Sequence, residues 1–269
     1  VPQGSVLGPV LFSMYIAPLS DVAEEFRVST HQYADDCELY MAFKLKQLTS
    51  VREAVDSVEA CVKKISKWMV TNKLKQNDDK TELVVFTPPW VQQSHPVTNI
   101  QIGDTPVMPS PSAQNLGCVW DQYMDMEAHV KKICMTCYYH LHNLRAIRSS
   151  LTRGAAEKVV HAFVTSRLDS CNAILYNLPK ALTNKLQRVQ NTAARIVTRA
   201  SKYSSITTIR QDLHWLPIEA RIQYNICALS WKAIHGRAPS YLQEMLIPYT
   251  PTRSLCSTGQ DLLCVPRCR

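Results

Sequence analysis

The sequence predicts an α+β first part followed by an all-α second part, and three observations predict it. Two short β-prone segments flank an acidic pair, Asp35-Asp36, early in the chain. Pro-rich loops and further β-prone stretches continue to about residue 120. From about residue 125 onward, apolar residues recur almost only at helical spacing. The charge changes at the same place: residues 1–122 carry 10 Lys/Arg against 14 Asp/Glu, net −4, and residues 123–269 carry 20 against 8, net +12. Together these set a domain boundary there and give two domains, 1–122 and 123–269, each long enough to bury its own core.

After Pro9, the residues Val10, Leu11, Met14, Tyr15 and Leu19 fall at helical spacing and predict a helix to about Phe26. Residues 28–34 and 37–43 predict a hairpin with Asp35-Asp36 at its tip. Ser50 and Glu53 read as a capping box. The helix that follows is expected to bury Val51, Val55, Val58, Val62, Ile65 and Met69. Residues 83–87, 98–102 and 116–120 read as strands, with a Pro-rich loop at 106–111. In the second part the expected helices are 127–149, 154–168, 181–199, 218–235 and 240–246. Pro179, Pro217 and Pro239 sit just before three of them, where a missing N–H costs little.

Composition excludes several classes. Hydrophobic residues at 46% and charged residues at 19% describe a folded chain rather than a disordered one. The uncharged runs 1–20 and 83–103 are broken by prolines and polar residues, so no membrane span is expected. The ten cysteines are too scattered for a disulfide scaffold. Cys134 and Cys137 form a lone CxxC inside a helical pattern, and nothing in the spacing links them to Cys264 and Cys268. A structural zinc needs four ligands, so no zinc is expected, and buried free thiols in a reducing compartment are. The basic second part points to a polyanion, nucleic acid first, with a solvated basic face as the alternative.

Tyr33-Ala34-Asp35-Asp36 carries the chemistry. Adjacent carboxylates on a hairpin repel unless a cation compensates them, and hard Mg²⁺ prefers carboxylate oxygen. A plain Asp-Asp turn is the bland alternative. On residues 181–199, Leu182, Leu186, Val189, Ala193, Ile196 and Val197 form one stripe, and Lys185, Arg188, Arg195 and Arg199 a neighbouring one. Such a cationic row suits a phosphate backbone or an ordinary surface helix. Trp215, Trp231 and Tyr224 read as core residues, with base-stacking platforms as the alternative.

Pro2-Gln3-Gly4-Ser5-Val6-Leu7-Gly8-Pro9, then Leu11-Phe12, then Tyr33-Ala34-Asp35-Asp36 about thirty residues later, resemble the reverse transcriptase family in motif, order and spacing. Asn77-Asp78-Asp79-Lys80-Thr81-Glu82 and Asn115-Leu116-Gly117-Cys118 continue the match, the latter as a Leu-Gly hairpin. Ser166-Arg167-Leu168-Asp169-Ser170-Cys171-Asn172, Leu213-His214-Trp215-Leu216-Pro217-Ile218 and residues 232–242 resemble the C-terminal region of LINE-type (non-LTR) retrotransposon enzymes of the jockey and chicken-repeat branches.

The resemblance implies an incomplete palm at 1–122, then a helical thumb and C-terminal extension at 123–269. It implies Asp35 as principal metal ligand and Asp36 as a second carboxylate, with Mg²⁺ or Mn²⁺ as cofactor. Lys80 is implied at the departing pyrophosphate, with a plain surface lysine as the alternative. Gln3, Gly4 and Tyr33 are implied near template, nucleotide and primer end. The implied partners are an RNA template, a DNA primer and deoxynucleoside triphosphates, inside the cell in nucleus or cytoplasm. The chain starts at Val1, after the place where the family's other metal-binding aspartate and its fingers stand. It is therefore expected to be a fragment, inactive alone, with a nucleic-acid-binding remnant or a decayed retroelement product as alternatives.

Overall fold

In a computed structural model of the chain, residues 4–44, 47–91, 97–103, 105–249, 253 and 262–265 are described. The chain divides into two compact units, Val1–Asp125 and Met126–Arg269.

In the first unit, the apolar run after Gly8 folds as two helices, α1 (Gly8–Ile16) and α2 (Pro18–Glu24), not the single helix expected to Phe26. Pro18 has no N–H for the preceding turn, and it opens α2 where that lack costs least. Ile16, Leu19, Val22 and Ala23 are buried, whereas Val6, Leu7, Val10, Leu11 and Met14 stand exposed. Next comes the antiparallel hairpin of β1 (Ser29–Tyr33) and β2 (Asp36–Tyr40).

The long helix α3 (Leu48–Thr71) runs between two apolar clusters. Its Cys61 and Ile65 pack with Leu19 and Val28, and its Val51 and Val62 pack with Val85 and Ile100. Val55, Val58 and Met69 are half-buried rather than buried. The expected capping box is absent because the helix starts earlier, at Leu48; Ser50 Oγ instead accepts the Lys44 N–H at 3.1 Å.

Residues 83–87 do not form the expected strand. They share one bridge, Leu83 with Pro109, and the Ser110 N–H donates to the Leu83 carbonyl at 2.7 Å. The opposing segment carries Pro109 and Pro111, which have no N–H to donate and cannot extend a ladder. β3 (Ile100–Ile102) pairs with β4 (Thr105–Val107), which takes Pro106 out of the expected loop. β5 (Ser112–Asn115) pairs with β6 (Cys118–Asp121), two residues after the expected strand start, because Leu116 and Gly117 form the turn.

In the second unit α4 (Glu127–Ile147) packs on α7 (Lys180–Thr198). Val130, Cys137, Leu141 and Leu144 of α4 are buried, as are Leu186, Val189, Ala193 and Val197 of α7. The α7 apolar stripe read from the sequence is therefore the buried one. The helix expected at 154–168 is present as α5 (Arg153–Val160) and α6 (Ser166–Asp169), joined through a π turn, His161–Thr165. α8 (Ile206–Asp212) was not expected, since seven residues give too few turns for periodicity to register. α9 (Ile218–Ile234) and α10 (Ser240–Glu244) follow, and Pro179, Pro217 and Pro239 stand at the N-caps of α7, α9 and α10. Among the described residues no helix is long and apolar enough to cross a membrane.

The β5–β6 turn yields a test. Both its residues have positive φ, 44° at Leu116 and 84° at Gly117, as a tight two-residue hairpin turn demands. Gly117→Ala is expected to destabilise the first unit by about 1–2 kcal/mol, because a Cβ is strained there. Leu116→Gly should stabilise it by a smaller amount. Urea unfolding of the three proteins checks both signs.

Candidate functional site

The hairpin β1–β2 positions the acidic pair. Tyr33 pairs with Asp36, so the two turn residues are Ala34 and Asp35, one residue earlier than the expected Asp35-Asp36 tip. Ala34 takes φ 53°, a left-handed backbone that a side chain normally avoids. Tyr33 is 67% exposed, and Asp35 and Asp36 are exposed as well. Alternation along the strands puts Tyr33, Asp36, His31 and Glu38 on one face, while Leu39 turns the other way into the core. His31 stacks on Tyr40 at 5.1 Å, which stiffens that face.

The same face is anchored. The Asn115 side-chain amide donates to the Glu38 carboxylate, which ties β5 to the hairpin two residues from Asp36. The neighbouring Gln114 N–H donates to Glu82 at 3.4 Å, a long bond, two residues from Lys80. Consecutive residues of β5 thus draw together the Asp-bearing hairpin and the segment of Lys80. Lys80 itself ends a 3₁₀ turn, Asp78–Lys80, and is exposed.

Gly4 is exposed in a turn with φ 87°, a conformation open to glycine. Gln3 lies outside the described residues. Asp35 and Asp36 are in no ion pair among the described residues, and their all-oxygen donors suit a hard cation. Among the described residues no group of three or more such side chains gathers that could hold a metal ion.

The cationic row on α7 separates into two environments. Lys185 pairs with Glu127 at 3.1 Å, and Arg188 is exposed. Arg195 and Arg199 lie at the far end of α7, beside other arginines. Trp215 is buried as expected, but Trp231 (48% exposed) and Tyr224 (65%) are not. Trp231 stacks on His235 at 4.3 Å and carries Arg237 at 5.3 Å from its ring, so its face is covered by polar neighbours rather than by core.

The C-terminal motifs that carry the sequence resemblance serve as polar ties within the second unit. Asp169 takes a forked pair of hydrogen bonds from Arg221, and the buried Asn172 accepts from Asn225 at 2.6 Å. The Leu216 carbonyl accepts from Gln190 at 2.8 Å, and Gln187 accepts the Ile218 N–H at 2.9 Å. Sequence reading missed Glu38, Glu82, Gln187 and Gln190 because single polar residues give no periodic signal. Only a polar residue on a buried helix stripe, as at Gln190, hints at such a tie.

One thiol of the CxxC is turned inward, and the other, Cys134, is half-buried. Cys137 is buried, with Sγ directed at the Val164 carbonyl at 3.9 Å. Burial, reinforced by the neighbouring Cys134, pushes its pKa up to about 12, and burial pushes Cys61 up to about 11. Zinc requires the thiolate form, which this burial opposes. Below the ordinary thiol value of 9.0 both states are neutral. As pH rises beyond it, the unfolded chain loses these protons while the folded chain keeps them. Stability is therefore expected to fall from about pH 9 upward, by up to about 1.4 kcal/mol per pH unit for each thiol. The fall should be smaller in Cys137→Ala, as read from urea midpoints between pH 8 and 11.

Residues 1–120 match the family described as reverse transcriptase (RNA-dependent DNA polymerase). The chain is 28% identical over 268 residues to the probable RNA-directed DNA polymerase from transposon BS of Drosophila melanogaster, covering 96% of this chain and 28% of that protein. It is 25% identical over 219 residues to the probable RNA-directed DNA polymerase from transposon X-element of Drosophila melanogaster, covering 79% and 23%. It is 24% identical over 221 residues to the RNA-directed DNA polymerase from mobile element jockey of Drosophila funebris, again covering 79% and 23%. The chain thus spans about a quarter of the length of the curated relatives it matches. No solved structure matches it. The resemblance read from the motifs is borne out: the first 120 residues match the reverse transcriptase family, and the chain is a relative of the RNA-directed DNA polymerases of these transposons.

Proposed function

We propose that the chain is the part of a retrotransposon reverse transcriptase that carries the Asp35-Asp36 half of a two-metal nucleotidyl-transfer centre. It works inside the cell on an RNA template, a DNA primer and deoxynucleoside triphosphates. One observation carries this reading: an exposed aspartate pair, free of ion pairs among the described residues, on a hairpin that β5 ties to the Lys80 segment. Asp35 and Asp36 would hold Mg²⁺, or Mn²⁺, through carboxylate oxygen. When bound, such ions stabilise the attacking and leaving oxygens of an in-line displacement.

The remaining roles belong to this chain's own side chains. Asp35, at the turn, is the principal ligand, and Asp36 on β2 is the secondary or structural carboxylate. Lys80 offers a proton or a positive charge to the departing pyrophosphate. Gly4 lets a backbone approach closely, beside Gln3, and Tyr33 meets the primer end. Lys185, Arg188, Arg195 and Arg199 meet the nucleic-acid backbone. The domain assignment of the intact enzyme, palm then helical thumb, follows from the same reading.

Asp35 and Asp36 are two carboxylates of a centre that needs a further bridging one. In this reading that carboxylate, and the fingers, come from the rest of the enzyme, and residues 1–269 alone synthesise no DNA. A second reading, a chain that binds nucleic acid without catalysis, as a remnant of a decayed element, is favoured by the net +12 of residues 123–269.

Primer extension on an RNA template separates these. Purified 1–269 is expected to be inactive with Mg²⁺ or Mn²⁺. A chimera that adds the upstream fingers and aspartate-bearing strand of a relative is expected to extend the primer. In that chimera Asp35→Asn should abolish extension, and Lys80→Ala should slow it by up to roughly a hundredfold or more. Undiminished synthesis by the Asp35→Asn chimera would remove Asp35 from the mechanism. Robust synthesis by the bare chain would refute the need for a further carboxylate.

A further inference from the structure

The C-terminal ends of α4 and α7 border an open cleft of about 490 Å³. Its polar lining is Arg145, Arg148, Ser149, Arg195, Arg199 and Lys202, with no carboxylate among the lining residues. Two of the arginines build the frame. Arg148 is buried and donates from Nε to the Ile196 carbonyl at 2.9 Å and from Nη2 to the Val197 carbonyl at 2.5 Å, in the last turn of α7. Arg199 reciprocates, donating to the carbonyls of Arg148 at 2.8 Å and Ser149 at 3.0 Å, just past the end of α4. Each guanidinium therefore caps the carbonyl end of the other's helix.

That arrangement leaves a large excess of positive charge. A helix C-terminus is equivalent to roughly −0.5 of a charge, so two of them offset roughly one of the five cations. Arg145 and Lys202 are exposed, and among the described residues none of the five is paired with a carboxylate. The Arg195 Nε is buried and has no hydrogen-bond partner among the described residues. A buried unsatisfied donor is costly to leave unpaired. Beside the cleft Lys202 lies 4.9 Å from the ring of Tyr203, which is 84% exposed and offers an aromatic face to a sugar or base.

We propose that this cleft seats a backbone phosphate of a nucleic-acid strand. Arg148 and Arg199 hold its shape, and Arg145, Arg195 and Lys202 supply the donors that meet the phosphate. The five cations line one cleft rather than a long face, and localised phosphate interactions set the register of a strand on a protein. The proposal rests on the nucleic-acid reading above and locates its strongest grip away from Lys185, whose charge is engaged by Glu127.

The test is the salt dependence of binding of chain 1–269 to a 20-base-pair RNA–DNA hybrid, read by fluorescence anisotropy. The variants are Arg145→Gln with Lys202→Gln, both exposed and so compatible with folding, Arg195→Gln, and a charge-matched control, Lys158→Gln with Lys232→Gln. Thermal melting of each variant verifies that it is folded. The expected result is a steep fall of affinity with salt in the unaltered chain. In the cleft variants the slope of log affinity against log salt should be shallower, by on the order of one for each phosphate that is no longer neutralised. It should be unchanged in the control. If the unaltered chain shows the steep slope and the cleft variants match the control, the cleft is overturned while the nucleic-acid reading stands. If the unaltered chain binds without salt dependence, that reading falls, and the cleft assignment with it.

Discussion

For Asp35 and Asp36 to serve as proposed, the hairpin that carries them must be held against its neighbouring elements. Here that constraint falls on one side-chain hydrogen bond, from the Asn115 amide to the Glu38 carboxylate. The first unit has three separate two-stranded ladders and no continuous sheet among its described residues. Backbone pairing therefore does not fix the β1–β2 hairpin relative to β5–β6. The Asn115–Glu38 bond does so, with the half-buried Leu39 on the opposite face as its apolar counterpart. A hydrogen bond to a charged acceptor is among the stronger kinds, and it acts two residues from Asp36.

The legibility of the sequence followed the physical range of each signal. The long amphipathic helices α4, α7 and α9 were readable to within one or two residues at most ends, because many turns repeat one pattern. The acidic hairpin was readable from two β-prone runs, but its turn lies one residue earlier than they suggest. The adjacent aspartates mark the tip, and nothing local announces that Ala34 takes the left-handed backbone. The failed strand at 83–87 and the split of the first helix both trace to prolines whose effect depends on the partner segment or the position within the helix. The ties made by Glu38, Glu82 and Gln187 were illegible, since each depends on a residue 31 or more positions away.

The second unit uses polar groups differently. Asp169, Asn172, Gln187 and Gln190 each make a hydrogen bond to α9 or to the segment just before it. Satisfied buried polar groups specify one packing arrangement, since any other leaves them unpaired. The motif residues Asp169, Asn172, Leu216 and Ile218 thus have a structural account that needs no ligand. The arginines at the ends of α4 and α7 are the exception, because capping carbonyls leaves most of their charge uncompensated.

The π turn at His161–Thr165 sets a limit on how this unit tolerates change in length. A π turn holds one more residue per hydrogen-bonded loop than an α turn, so it is equivalent to a single-residue insertion absorbed within a helix. Removing one residue there would let the helix run regularly, and every later side chain would rotate by about 100° about its axis. Asp169 would then leave the Arg221 fork, and Asn172 would leave Asn225. An insertion or deletion of one codon in this segment therefore reaches across to α9. The segment is intolerant of indels for a reason that no single substitution within it would reveal.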